Sequence, residues 1–363
     1  MQLLKNNYFD KEGEVMLCAL IMAGGKGTRF WPLSTEEKPK QFLNLIGDET
    51  MIRMTVNRVK PIIPIERIFI CTVSPYVDLV KEQLPELPVE NIIVEPEGRN
   101  TAPCITLSSM IIKRRFKDAV IAVLPSDHLI KNEEKFRDII VNCSNFINKN
   151  DKAIITVGMK MDRPETGYGY IKYSDNYVEV NEERFIKVDK FVEKPDLVKA
   201  KRYLRDGNYL WNGGMFLWKV ENILNEIREY CPSIYEPLKG VQSVDINEIK
   251  DVINENYNKT EAISIDYAVL EKSKEIYVVP VDIGWDDIGT WKSVERYKKK
   301  DDFNNIIEGN ARVIESKSNI AINNDKRVVM IGIEDVMTIE TDDSIYIVNK
   351  GYMDNLRDYR ESI

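Results

Sequence analysis

Apolar runs alternate with amphipathic stretches from Leu17 to about Lys160. The short apolar runs predict buried strands at 17–22, 66–73, 91–95, 119–124 and 153–159. The longer amphipathic stretches between them predict helices at 50–60, 75–84, 102–116 and 133–149. This alternation is typical of a Rossmann-like α/β fold with a mixed, mostly parallel sheet and helices on both faces. In such sheets ligands bind beyond the carboxyl ends of the strands.

The pattern becomes mixed after Gly167 and changes again near Asp302. Strand-like runs GYGYIKY, RFIKVDKFVEKP and NGGMFLW come first, with helical stretches near 196–205, 220–229, 246–256 and 264–272, then a strand at 276–281 and a helix at 290–299. After about Asp302 no helical pattern remains, and the short β runs are ARVIES, NIAIN, RVVMIGI, VMTIE and SIYIVN. We therefore predict an N-terminal extension over 1–16, a main domain over 17–301 and a small C-terminal β module over 302–363.

Composition excludes several classes of protein. The net charge of −8 and the absence of a basic stripe argue against a nucleic-acid partner. No apolar run approaches the roughly 20 residues that span a bilayer, and residues 1–16 lack the apolar core of a signal peptide, so we expect a cytoplasmic protein with no membrane partner. The five scattered cysteines include no C-x-x-C pair, which favours buried free thiols, and the single histidine, His128, excludes a multi-histidine zinc site.

The stretch LCALIMAGGKGTRFWPLSTEEKPKQF, residues 17–42, joins a strand to a glycine-rich loop. Its glycines allow the backbone to approach a ligand closely, and free N–H groups after a strand bind anions; these residues are Gly24, Gly25 and Gly27. Four cations lie in the same stretch, namely Lys26, Arg29, Lys38 and Lys40. The combination predicts a site for a nucleoside triphosphate or pyrophosphate.

The loop matches neither of the two common phosphate-binding loops. No G-x-x-x-x-G-K-[ST] sequence occurs, which disfavours a P-loop kinase. The third glycine of G-x-G-x-x-G is missing, and Pro32 indicates an extended loop rather than a helix. Considered alone, the loop is explained as well by a simple glycine turn between a strand and a helix.

The segment LPSDH places Asp127 directly after the strand at 119–124, at the same edge of the sheet as the glycine loop. A carboxylate in that position suits Mg²⁺ bound against triphosphate oxygens. The alternative is a helix N-cap, because a helix begins soon afterwards. His128 either orients Asp127 or lines the site.

Six other segments each have a purely structural explanation. In EPEGRNTAP, Thr101 is a candidate N-cap and Pro103 lies early in the helix. ETGYGY suits a strand end, FVEKP a strand with a solvated charge pair, and NGGMF a hairpin. GWDDIGTW suits a helix N-cap at Asp287 or Thr290, and Ser264 of SIDY suits a cap as well.

Together and in this order, these motifs resemble those of the sugar-nucleotide pyrophosphorylases, and most closely those of the mannose-1-phosphate guanylyltransferases, also called GDP-mannose pyrophosphorylases. The signature GGxGTRhxPLSxxxKPKQF, in which h is apolar, is matched almost throughout, and the resemblance covers about residues 17–350. It implies a nucleotidyltransferase catalytic domain and a C-terminal β module of the short left-handed β-helix type that pairs subunits into a homodimer.

The resemblance also implies a reaction and its residues. GMP passes from GTP to α-D-mannose 1-phosphate, giving GDP-mannose and pyrophosphate, with Mg²⁺ held by Asp127 and Asp287. The implied catalytic residues are Arg29, Lys40 and Asp127. The implied nucleotide-binding residues are Gly24, Gly25, Gly27, Thr28, Lys38, Asn100 and Thr101. The implied sugar-phosphate residues are Tyr168, Gly169, Glu193, Lys194, Asn212 and Gly213.

Two alternatives stay open at this point. One is a nucleotidyltransferase of the same fold that uses another sugar 1-phosphate or another base. The other is a non-catalytic GDP-sugar sensor, whose expected sign is the loss of a metal carboxylate, although Asp127 and Asp287 are both present. Some relatives continue into a cupin-like isomerase domain; since this chain ends at Ile363 with one histidine, we do not expect that second activity.

Overall fold

A nine-stranded central sheet organises the structure, a computed structural model that describes residues 15–362. Residues 1–14 of the predicted N-terminal extension lie outside the described residues. The strands are β1 (Leu17–Met22), β2 (Ile68–Val73), β3 (Ile92–Glu95), β4 (Val120–Pro125), β5 (Leu129–Ile130), β6 (Ile154–Met159), β7 (Gly169–Val180), β8 (Glu183–Val192), β9 (Tyr209–Lys219), β10 (Ile276–Val281), β11 (Trp285–Asp286), β12 (Ile306–Ile314), β13 (Ile320–Ile331), β14 (Val336–Glu340) and β15 (Ile345–Asn349). The helices are α1 (Met51–Val59), α2 (Val77–Gln83), α3 (Thr101–Arg115), α4 (Glu133–Lys149), α5 (Leu197–Asp206), α6 (Val220–Tyr230), α7 (Pro232–Leu238), α8 (Ile249–Asn256) and α9 (Trp291–Tyr297).

The central sheet has the strand order β3-β2-β1-β4-β9-β6-β10-β8-β7. Parallel pairing joins β3, β2, β1 and β4, and also β6 to β10, while β9 runs antiparallel to β4 and β6. Alternate residues of β1 enter different cores: Ala19 and Ile21 pack on one face, and Cys18 and Leu20 on the other. A strand buried on both faces reads as a continuous apolar run. The predicted mixed, mostly parallel α/β sheet is confirmed.

Most predicted helices form, with differences in the second half of the chain. The stretch 246–256 begins as a 3-10 turn at Ile246–Glu248 before α8, and 264–272 contains only a short π-helical turn at Asp266–Leu270. Helix α7, which starts at a proline, was not predicted. Among helices of the described residues, none is both long and apolar enough to cross a bilayer.

The C-terminal module forms a separate four-stranded sheet within the described residues. Strands β12, β13 and β14 pair in parallel, with Ile320 beside both Ile306 and Met337, and β15 closes the sheet antiparallel to β14. Stacked parallel strands agree with the predicted β module, whereas the left-handed β-helix stays a prediction.

The expectation that no helix follows Asp302 is wrong. A 3-10 helix occupies Lys350–Ser362. Its buried residues, Met353 and Leu356, are three apart, which is the repeat of a 3-10 helix rather than the 3.6-residue repeat of an α-helix. A search for α-helical periodicity therefore passes over this segment.

One hydrophobic cluster joins the C-terminal module to the residues that follow the glycine loop. Phe30 packs edge-on against Trp291 of α9 with ring centroids 5.3 Å apart, and Trp31 packs edge-on against Tyr346 of β15 at 5.0 Å. Met353 and Leu356 belong to the same cluster. The module thus packs against the residues that follow the glycine loop. The predicted domain boundary at residue 302 stays a prediction.

Candidate active site

A cleft of two adjoining chambers opens beyond the carboxyl ends of β1, β3 and β4. The larger chamber, about 980 Å³, is lined by six carboxylate side chains and three from lysine or arginine, and we call it the acidic chamber. The smaller, about 600 Å³, is lined by four lysine and arginine side chains and three carboxylates, and we call it the basic chamber. Both are bordered by Gly25, Lys26, Glu36, His128 and Asp287, so the two form one continuous cleft.

The glycine loop forms the wall of the basic chamber and is held closely at its base. Gly27 has a φ of 47°, and a Cβ there would lie 2.7 Å from the backbone nitrogen of Lys40, so the position requires glycine. Gln41 donates its side-chain N–H groups to the carbonyl oxygens of Ala23 and Gly25, at 2.9 Å each. The loop is therefore fixed before any ligand arrives.

Lys40 connects the two predicted metal-binding segments. Its ammonium donates to Asp127 Oδ2 at 2.7 Å and to the carbonyl oxygen of Asp287 at 2.5 Å. Burial opposes ionisation of Asp127, but the charge of the Lys40 ammonium outweighs it and holds the pKa of this carboxyl below its usual range. Helix α4 is capped by Asn132, so the alternative reading of Asp127 as a helix cap is wrong.

A short antiparallel pair, β5 with β11, brings Asp127 and Asp287 to the same chamber. It links Ile130 to Trp285, just after one aspartate and just before the other. Asp286 is fully buried and accepts from Arg296 and Tyr297, at 2.6 and 3.0 Å. The neighbouring Asp287 instead lines both chambers, and its Oδ1 accepts from the Tyr168 hydroxyl at 3.0 Å. This difference supports Asp287 rather than Asp286 as the candidate metal ligand.

His128 is held by the tryptophan of β11. The Trp285 indole N–H donates to His128 Nδ1 at 3.1 Å, so the proton of the neutral imidazole lies on Nε2, which is 3.9 Å from Asp127 Oδ1. Burial lowers the pKa of His128, although the charge of Asp127 acts in the opposite direction. A neutral imidazole fixed in this way orients the site rather than adding charge to it.

The donor set of the basic chamber fits Mg²⁺. Two carboxylates, from Asp127 and Asp287, are the hard oxygen ligands that this ion prefers, and Mg²⁺ generally completes its shell with water and substrate phosphates. The Lys40 ammonium already bridges the two segments as a cation. Within residues 15–362, one group of three closely spaced potential ligands occurs elsewhere, namely Cys71, Glu95 and Cys104, but its thiols suit softer metals. Mg²⁺ binding stays a prediction.

At one end of the acidic chamber, carboxylates and an amide converge. Asn212 Nδ2 donates to Asp266 Oδ1 at 2.8 Å, and a Cβ on Gly169 would lie 2.8 Å from Glu193 Oε1. Burial, reinforced by the charge of Asp266, raises the pKa of Glu193, and burial also raises the pKa of Asp266. Sequence reasoning gave Asp266 no role, and its only signal was the SIDY segment.

Glu95 also lines the acidic chamber, and sequence reasoning missed it as a site residue as well. Glu95 is only 3% exposed, and its Oε1 accepts a hydrogen bond from the Tyr257 hydroxyl. Burial raises the pKa of Glu95 to about 7, although hydrogen bonds from Tyr257, Cys71 and Cys104 act in the opposite direction. The signal in the sequence was a carboxylate that ends an apolar strand within the EPEGRNTAP segment.

The start of α3 also lines the acidic chamber, but its cap differs from the prediction. The N-cap is Asn100, whose side chain accepts from the Thr101 N–H at 2.8 Å. Thr101 instead uses its hydroxyl oxygen to accept the Ile265 N–H at 2.9 Å. The predicted Thr101 cap is therefore wrong, and its hydroxyl ties α3 to the segment that carries Asp266.

The structure brings nearly all predicted site residues into the cleft. The acidic chamber is lined by Gly24, Gly25, Asn100, Thr101, Tyr168, Gly169, Glu193, Lys194, Asn212, Gly213 and Asp287. The basic chamber is lined by Gly25, Gly27, Thr28, Arg29, Lys40, Asp127 and Asp287. Lys38 is exposed and lines neither of these two chambers, so its role in nucleotide binding stays a prediction.

Comparison with known families identifies the class of protein to which this fold and site belong. The nucleotidyl transferase family model matches residues 18–302. The chain belongs to this family, and the family assignment made from its signature and later motifs is confirmed.

Individual relatives and a solved structure show which members of the family this chain is similar to. A mannose-1-phosphate guanylyltransferase 2 of Escherichia coli O157:H7 is 36% identical over 94% of this chain and 72% of its own length. The alginate biosynthesis protein AlgA of Pseudomonas aeruginosa is 33% identical over 93% of this chain and 70% of its own length. A crystal structure from Thermus thermophilus, described as a mannose-1-phosphate geranyltransferase, superposes with a TM-score of 0.83 at 27% identity, over 96% of this chain and 99% of that one.

Proposed function

We propose that this protein transfers GMP from GTP to α-D-mannose 1-phosphate, giving GDP-mannose and pyrophosphate. The observation that carries the proposal is the division of one cleft into a basic chamber beside the glycine loop and an acidic chamber next to it. A triphosphate needs the first environment, and a polyol with a purine base needs the second. The similarity to mannose-1-phosphate guanylyltransferases supports mannose as the sugar and guanine as the base.

The reaction is an in-line displacement at the α-phosphorus of GTP. An oxygen of the sugar phosphate is the nucleophile, and because it is already an anion at neutral pH, no general base is required. The enzyme therefore acts by positioning and by stabilising charge on the leaving pyrophosphate. Arg29 and Lys40 are the residues that meet this charge in the basic chamber, and Asp127 and Asp287 hold the Mg²⁺ that neutralises phosphate oxygens when bound.

Lys40 changes partners in this scheme. Without substrate its ammonium is paired with Asp127 at 2.7 Å. With substrate bound, the Lys40 ammonium would turn to the phosphate oxygens, and the Asp127 carboxylate would then be free to hold the metal ion, which would neutralise phosphate charge. The ion pair thus keeps a buried lysine and a catalytic carboxylate in position until substrate binds.

The sugar binds at the end formed by Glu193, Asn212 and Asp266. Carboxylate and amide oxygens accept hydrogen bonds from sugar hydroxyls. Lys194, at the same end, meets the sugar phosphate and offsets its repulsion by the triphosphate. The hydrogen bond from Asn212 to Asp266 fixes both groups before the sugar arrives.

Glu95 selects the base. Guanine presents two neighbouring N–H donors on its pairing edge, and a buried carboxylate is the acceptor that matches them. Adenine and the pyrimidines lack this pair of donors. The Tyr257 hydroxyl holds one oxygen of Glu95, which leaves the carboxylate oriented toward the chamber that it lines.

A substrate matrix tests the proposal. Pyrophosphate release is measured with each nucleoside triphosphate against mannose, glucose, galactose and heptose 1-phosphates. The proposal expects the highest kcat/KM for GTP with mannose 1-phosphate. A clear preference for another sugar or base would contradict it while leaving the family assignment intact, and no turnover with any pair would favour a sensor.

A further inference from the structure

We propose that Arg357 of the C-terminal 3-10 helix is a phosphate-binding residue of the basic chamber, so that the module completes the active site. This inference rests on the proposed function. The catalytic residues that the sequence indicates all lie before α9, which suggests that the module serves only stability or assembly. The structure assigns its last segment a chemical role instead.

The first observation is position. Arg357 lines the basic chamber together with Lys26, Thr28, Arg29 and Lys40. The other lining residues of this chamber come from the main domain, so Arg357 is the one contribution of residues 302–362 to it. Arg357 does not line the acidic chamber, which contains the proposed sugar site.

The second observation is that this guanidinium has no partner among the described residues. Within 15–362, the side chains of Arg29 and Arg357 form no ion pair or hydrogen bond, whereas Lys40 is paired with Asp127 and Lys26 with Glu36. A guanidinium offers a planar fork of donors that matches phosphate oxygens. Arg29 and Arg357 are therefore the two cations of the chamber that can bind an anionic ligand without giving up a partner among the described residues.

The third observation is charge. The basic chamber is lined by four lysine and arginine side chains and three carboxylates, so removing Arg357 would leave equal numbers of each. A triphosphate or pyrophosphate in this chamber carries several negative charges. Arg357 supplies the excess positive charge that an anion of this kind needs.

The fourth observation is that Arg357 is held in place. Its neighbour Leu356 and Met353, one turn earlier, are buried in the cluster that contains Phe30 and Trp31 of the glycine-loop segment. Lys292 of α9 forms a salt bridge of 2.7 Å with Asp354, which lies on the same 3-10 helix as Arg357. Because these anchors reach the glycine-loop segment and α9, packing holds the part of the 3-10 helix that carries the exposed Arg357 beside the chamber.

The chamber beside the glycine loop is the place for the β- and γ-phosphates of GTP, which leave as pyrophosphate. Arg357 thus stabilises the leaving group alongside Arg29. The sugar phosphate, at the Lys194 end of the acidic chamber, is not its partner. This placement makes separate predictions for ligands that contain the terminal phosphates and for ligands that lack them.

Equilibrium titrations of Arg357→Ala and Arg357→Lys with Mg²⁺-pyrophosphate, GTP and GMP test the inference, with Arg360→Ala as the matched control because Arg360 lies one turn further on and lines neither chamber. Loss of one charge-assisted contact corresponds to about a 10- to 100-fold weaker binding. We expect that loss in Arg357→Ala for pyrophosphate and GTP, a smaller loss in Arg357→Lys, and unchanged GMP binding in both.

Unchanged pyrophosphate affinity in Arg357→Ala, or an equal loss in Arg360→Ala, would overturn the inference. GMP binding reports whether each variant is folded, and if Arg357→Ala loses GMP as well, Arg357→Lys decides, since a phosphate contact predicts that it retains GMP binding. These titrations use no sugar. A wrong assignment of the sugar would therefore leave their outcome unchanged, so failure of this inference and failure of the proposed function can be told apart.

Discussion

The basic and acidic chambers share one cleft but are built in different ways. The basic chamber takes most of its charge from a single stretch, residues 26–40, and adds Asp127, Asp287 and Arg357. The carboxylates of the acidic chamber come from separate segments, including the ends of β3 and β8 and the turn at Asp266. In the proposed function, phosphates are recognised by a continuous loop with cations, whereas the sugar and the base are recognised by groups that only the tertiary fold brings together.

The largest expected effect concerns the two candidate metal ligands of the basic chamber. Asp127→Asn and Asp287→Asn should each reduce kcat on the order of 10²–10⁴, because the metal loses a ligand and phosphate charge stays unneutralised. Asp282→Asn, an exposed aspartate shortly before β11, is the control. Steady-state kinetics with saturating Mg²⁺ provide the measurement, and near wild-type turnover in either variant would remove that residue from the metal site.

The next largest effect is a loss of kcat that we expect for cations within the basic chamber but not for a cation outside it. Arg29→Ala and Lys40→Ala should lower kcat by about 10²- to 10³-fold, because they meet charge that develops on the leaving group. Lys38→Ala should have little effect, since Lys38 lines neither chamber. A variant that raises only the KM for mannose 1-phosphate would contradict this placement, and a strong effect of Lys38→Ala would restore its predicted role.

An intermediate effect is expected at the sugar end. Glu193→Gln and Lys194→Ala should raise the KM for mannose 1-phosphate roughly 10- to 100-fold, as expected for lost charge-assisted hydrogen bonds, while GTP binding persists. Lys190→Ala, on β8 and exposed, is the control. Titration with GTP checks the second half of the prediction, and loss of GTP affinity in both variants would move these residues to the nucleotide.

The last expected effect is on stability rather than on catalysis and comes from Glu95. Its pKa is raised to about 7 from 4.5 by burial, so folding carries no penalty below pH 4.5, a growing penalty up to pH 7 and the full penalty above it. The shift corresponds to roughly 3 kcal/mol at 1.36 kcal/mol per unit. The groups that face this carboxyl are Cys71, Cys104 and Tyr257.

Glu95→Gln should therefore be stabilised relative to the wild type by up to about 3 kcal/mol at pH 8 and by much less at pH 5. Urea denaturation at both pH values measures the difference, with the exposed Glu97→Gln as control. The Glu95→Gln variant should also lose its preference for GTP over ATP. A pH-independent difference in stability would show that burial of the Glu95 charge is not its cause.

The sequence predicted the sheet and most of the cleft because these features follow from local patterns. Buried strands produce apolar runs, and the loop from Gly24 to Lys40 carries its glycines and cations in one segment. The two-residue strands β5 and β11 have no local pattern, since their pairing depends on the surrounding fold. The pairing of β5 with β11 nevertheless brings Asp127 and Asp287 to the same chamber.

The missed site residues have a similar explanation. Glu95 and Asp266 are carboxylates whose roles depend on burial and on neighbours far away in the chain, such as Tyr257 and Asn212. Arg357 lies in a 3-10 helix whose three-residue repeat is not an α-helical signal. Each of these residues could be assigned to the site only once the fold had shown that distant segments line one cleft.

The most direct test of the division into two chambers is a crossed binding experiment. Arg29→Ala and Glu193→Gln are each titrated with Mg²⁺-pyrophosphate and with mannose 1-phosphate. The account predicts that Arg29→Ala loses pyrophosphate affinity and keeps mannose 1-phosphate affinity, and that Glu193→Gln shows the reverse. Parallel losses of both ligands in both variants would contradict it, because the cleft would then bind its substrates as a single undivided site.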